Sequence, residues 1–167
     1  MLQMGKIFAG LVLWNLILFA ITIGLGLTHH SAHWQHQALG VVTGIYTCLT
    51  HSIVLMHFMG SGRAIKEAVA EHALTDHPVS GFRRRSRRLH ARASALATLG
   101  CVFIIVAAWL GAWTDTHRSN GAAHAWHVWF VWFTVAYNLY AFRVEYRVIR
   151  ENTELIREVN RQITPAA

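Results

Sequence analysis

The stretch IFAGLVLWNLILFAITIGLGL, residues 7–27, contains no charged side chain. A helix needs about 20 such residues to cross a hydrocarbon core of about 30 Å. Three more stretches read the same way: 38–59, 91–113 and 123–142. None carries Lys, Arg, Asp or Glu in its interior, where each would cost roughly 2.5 to 3.5 kcal/mol on insertion. Lys6 before the first run resembles the start of a signal peptide. That run is too long, however, and no Ala-x-Ala site precedes His29, so it is expected to be retained as a helix.

Composition agrees. Of the 167 residues, 54% are hydrophobic and 14% charged, against about 25% charged in a soluble domain. The charges fall in blocks between the apolar runs. The net charge of +7 therefore reads as membrane topology and lipid contact, with no nucleic-acid partner expected. With the N-terminus inside, Lys6, Arg63, Lys66, Arg83, Arg84, Arg85, Arg87, Arg88, Arg92, Arg143, Arg147, Arg150, Arg157 and Arg161 all lie on the cytoplasmic side, and only Arg118 lies outside. This bias fixes the expected topology: four transmembrane helices in an antiparallel bundle, both termini cytoplasmic, in a membrane of the bacterial inner type.

The chain shows no repeat and no second domain. Between the second and third spans lies a cytoplasmic loop, 60–90. Its first part, residues 63–71, is rich in helix formers and is expected to prolong helix 2, until Pro78, Ser80 and Gly81 break it. Beyond 142, Val144, Val148, Leu155, Val159 and Ile163 recur at helical spacing against a charged face. They predict an amphipathic cytoplasmic helix over 143–163 that packs on another helix or on the interface. The tryptophans gather near the outer ends of the spans as an interfacial belt. Gly40-x-x-x-Gly44 and Ala93-x-x-x-Ala97 permit close helix approach. Cys48 and Cys101 fall inside spans and read as small packing residues.

Twelve histidines are the unusual feature. Topology places His29, His30, His33, His36, His117, His124 and His127 at the outer face, His51 and His57 inside helix 2, and His72, His77 and His90 on the cytoplasmic side. A b-type haem in a helix bundle takes two imidazoles from different helices at one depth. With a rise of 1.5 Å per residue, His57 and His90 are level near the inner face. His36 is level with His124 and His127 near the outer face. His51 shares its depth with Asn15, Cys101, Tyr137 and Asn138 and with no other histidine. A five-coordinate haem, a pair across a homodimer, or hydrogen bonds to Asn15, Asn138 or Tyr137 are open for it. His51 and His57 stand roughly 120° apart around the helix and cannot share a metal.

In layout, with one candidate imidazole pair near each membrane face, the chain resembles the small four-helix membrane cytochromes b. That resemblance implies haem b and electron transfer, with quinol or within a larger respiratory complex. His51, His57 and His90 are then candidate ligands, and Arg63 and Lys66 candidate partners for haem propionates or for anionic lipid headgroups. The i, i+3 and i, i+4 spacings among His33, His36, His124 and His127 suit a Cu or Zn site on the outer face, which is a separate expectation. A third is a non-catalytic membrane subunit, binding no cofactor, whose histidines are structural. The sequence lacks a hydrolase nucleophile motif, paired carboxylates inside the spans and cytoplasmic histidine boxes, so no enzymatic activity is expected.

Overall fold

The computed structural model describes residues 3–27, 33–72, 74, 81–116 and 121–163. His29, His30, His77, His117 and the side chain of His33 lie outside the described residues. The described chain is all helical: α1 (Gln3–Leu27), α2 (His33–Glu71), α3 (Phe82–Thr116) and α4 (Gly121–Ile163). By length and composition, α1, α2 and α3 can each cross a membrane. The fourth expected span, in α4, does not reach that apolarity. Between 123 and 142 its apolar residues are interspersed with His124, His127, Thr134, Tyr137, Asn138 and Tyr140. On the inward face Thr134 and Asn138 begin a buried polar stripe that Glu145 and Asn152 continue at spacings of four and seven.

Helices adjacent in the chain pack together, and α4 also meets α1 and α2. Small residues make the close approach possible. Ala93, Ala97, Gly100 and Ala107 are buried along one face of α3, where backbones pack by van der Waals contact in a medium that gives no hydrophobic drive between helices. Around them Phe8, Phe19, Val54, Phe58, Phe142, Val148 and Ile149 form the main core. Large apolar side chains such as Ile45, Ile105 and Trp129 point outward, as a lipid-facing surface requires.

Three helices, α2, α3 and α4, run further than a bilayer needs. The 39 residues of α2 continue unbroken through Gly60, Ser61 and Gly62, as the helix-forming segment after them predicted. The start of α3 differs from expectation: it begins at Phe82, so the arginine run is helical and not part of a loop. Phe82 and Ser86 are buried while Arg84, Arg85, Arg87 and Arg88 face out, so this turn is held by one apolar anchor. The expected amphipathic end of α4 finds its partner within the chain. Leu155 and Val159 pack on Ile65, Val69 and Phe82, and Arg85 meets Glu158 at 2.7 Å on the surface.

Candidate functional site

The polar interior is built mainly between α2 and α4, at three levels. At the first, His36 in the opening turn of α2 approaches His127 of α4. Their ring centres are 6.4 Å apart and the rings are inclined by 78°. His36 Nδ1 lies 2.9 Å from the Thr22 carbonyl oxygen of α1. A carbonyl only accepts, so Nδ1–H is the donor, which in a neutral ring leaves the lone pair on Nε2. Both rings lie against glycine backbone. A Cβ on Gly26 would come within 2.9 Å of His36 Cε1, and one on Gly111 within 3.0 Å of His127 Cε1. His127 neighbours the Ala107 backbone, while its buried Nδ1 has no hydrogen-bond partner. His124, one turn earlier, is exposed. Among the described residues no three His, Cys, Asp or Glu side chains gather closely enough to hold a metal ion.

His51 occupies the second level and is fully buried. Its Nδ1 lies 2.8 Å from Glu145 Oε1, and its Nε2 lies 2.8 Å from Asn138 Oδ1. Asn138 Nδ2 donates to the Thr134 carbonyl at 2.8 Å. That bond fixes which end of the amide faces His51, so Nε2–H must donate to Oδ1. The remaining proton lies between Nδ1 and Oε1, as a neutral pair or an imidazolium–carboxylate pair. Phe142 stacks on the ring at 5.1 Å. Gly100 lies against the His51–Asn138 hydrogen bond, where a Cβ would come within 2.5 Å of Nε2 and 2.9 Å of Asn138 Oδ1. Of the partners open to His51 on depth, the structure takes Asn138. Asn15 instead bonds Thr47 and Thr50, each at 2.8 Å.

Glu145 is fully buried although it lies outside the four expected spans, whose interiors carry no acidic residue. With the fourth span ending at 142, it fell among the charged residues of the helix extension. It continues the stripe of Asn138 by two turns, and that spacing is the signal that could have found it.

The third level joins His57 and Asn152. Asn152 Nδ2 donates to Ser61 Oγ at 2.9 Å and lies 3.4 Å from His57 Nε2. His57 and Ser61 line a half-open cavity of about 390 Å³, with Met4, Ile65, Thr153 and Asn160 among its walls. No hydrogen bond or ring contact joins His57 to His90, which is half-buried on α3. Arg63 is exposed and paired with Glu67 at 2.7 Å, and Lys66 is exposed. Equal depth therefore brought one expected imidazole pair together, His36 with His127, and left the other apart. No family model matches the chain, and no curated protein or solved structure matches it either.

Proposed function

We propose that the chain is a haem b-binding membrane protein that carries single electrons, with His36 and His127 as the axial ligands. The observation that carries this reading is the 6.4 Å between the two ring centres. A metal–nitrogen bond of about 2 Å, with about 1.2 Å from nitrogen to ring centre, separates two imidazoles on opposite sides of one metal by about 6 Å. A tetrahedral centre would draw them closer, to about 5 Å, so the spacing favours opposed ligands over a Zn-type site.

Three further features fit. The His36 Nδ1–H donates to a backbone carbonyl, a bond that orients a ligating imidazole and raises its basicity. The buried His127 Nδ1 is without a partner, a cost that ligation or an added acceptor would remove. Glycine at 26 and 111 gives both rings room at the backbone. Haem held by two imidazoles supplies one-electron exchange without a change of ligands. The protein's part is to hold the imidazoles, exclude water with its apolar walls and set the local dielectric.

In this reading four helices cross the membrane antiparallel to one another. The His36 end faces outward, and the end of α2 with Arg63 and Lys66 and the arginine-rich ends of α3 and α4 extend into the cytoplasm, in accord with the basic-residue bias. Because His51 has both ring nitrogens hydrogen-bonded, it takes no part in the haem site. The test is haem content. Protein purified from cells supplied with a haem precursor should carry haem, and the double variant H36A/H127A none. Equal haem in both would refute the assignment.

A further inference from the structure

Glu145 is fully buried, and only one of its oxygens is spoken for: Oε1 faces His51, while Oε2 has no hydrogen-bond partner. Asn152, also fully buried, lies two turns along the same face of α4, about 10 Å away by helical rise, and its Oδ1 is likewise unpartnered. Two buried acceptors without donors on one stripe are costly unless a donor reaches them, and water is the donor small enough for such a site. The stripe leads to Ser61 and His57, which line the half-open cavity.

The opposite side of the pair is closed. Asn138 is bonded at both ends of its amide, to His51 and to the Thr134 carbonyl, and Asn15, Thr47 and Thr50 bond one another and their own helix backbones. The ionisable groups around the pair are few. Helix α2 brings His51, His57 and Cys48, α3 brings Cys101, and α4 brings Tyr137 beside Glu145. Among the described residues of α1 the ionisable side chain is Lys6, which is exposed.

We propose that His51 and Glu145 form a proton-binding site that exchanges with solvent from the Asn152 and Ser61 side and is closed toward the His36 end. The two carboxyl oxygens allow this. A proton arriving on Oε2 releases the proton on Oε1 to His51 Nδ1, so the pair gains one proton and one positive charge, and release reverses both steps. Nε2–H stays on Asn138 throughout. The proposal stands independently of the haem reading, because neither ligand of that site takes part.

The test follows the Glu145 carboxyl band by infrared spectroscopy after transfer of the protein, in lipid nanodiscs, from H2O to D2O. E145D should shift the band and E145Q should remove it, which assigns the signal even where one of the two folds poorly. In the parent protein the band should move to its deuterated position. N152L and S61A, which keep Glu145, should slow that exchange by about tenfold or more, equivalent to a barrier higher by about 1.4 kcal/mol. T47V should leave the rate unchanged. A band that never exchanges, equal rates in all variants, slowing in T47V alone, or no band assignable to Glu145 would each overturn the proposal.

Discussion

His51 Nδ1 and Glu145 Oε1 are 2.8 Å apart, both side chains are fully buried, and the residues stand 94 apart in sequence. This contact ties α2 to α4 across the interior, alongside the His51–Asn138 and Asn152–Ser61 hydrogen bonds that join the same two helices.

Removing one partner leaves the other buried and uncompensated. H51A and E145A should each lower stability by about 3 to 5 kcal/mol, as expected for breaking a buried pair. The double variant H51L/E145L should lose less than the sum of H51L and E145L. Thermal unfolding in detergent, run as a double-mutant cycle, should give a coupling of at least about 1 kcal/mol. Strict additivity would show that the two do not act as a pair.

The glycines separate packing from site geometry. At Gly100 a Cβ would strike His51 Nε2, and at Gly44 it would meet Ile104 at an ordinary 3.8 Å. G100A should therefore lower the unfolding midpoint while G44A leaves it within a degree or two, consistent with the usual cost of overpacking of about 1 to 3 kcal/mol. G26A and G111A should lower haem retention, because each pushes a proposed ligand off its backbone. G10A, which meets open space, should retain haem as the parent does.

Orientation can be read from outside the cell. In a background where Cys48 and Cys101 are replaced by Ser, T116C should react with an impermeant thiol reagent in intact cells and R84C should react only after lysis. Both positions are exposed. The reverse pattern would place the histidine-rich end in the cytoplasm.

Much of this arrangement was legible in the sequence because the helical rise fixes depth. Each of the four expected spans falls within one of the four helices, and depth put Asn138 among four candidate neighbours of His51 and His127, with His124, at the level of His36. Depth does not fix azimuth or the choice of neighbour, which is why His57 turns to Asn152 and not to His90. Glu145 was hidden for a related reason. A carboxyl in an apolar run is tolerated only where another helix supplies its partner, and His51 is 94 positions away. The early start of α3 was masked by its charges, since one buried Phe82 outweighs an arginine run that costs nothing on a solvated face.

The central claim is that His36 and His127 hold one haem, and the reduced-minus-oxidised visible spectrum tests it most directly. The purified protein should show a low-spin spectrum with a sharp reduced α band. H36A and H127A should each lose it, H36G should regain it with added imidazole, and H90A should keep it. A colourless protein that takes up no added haemin, or an unaltered low-spin spectrum in H36A and H127A, would contradict the claim.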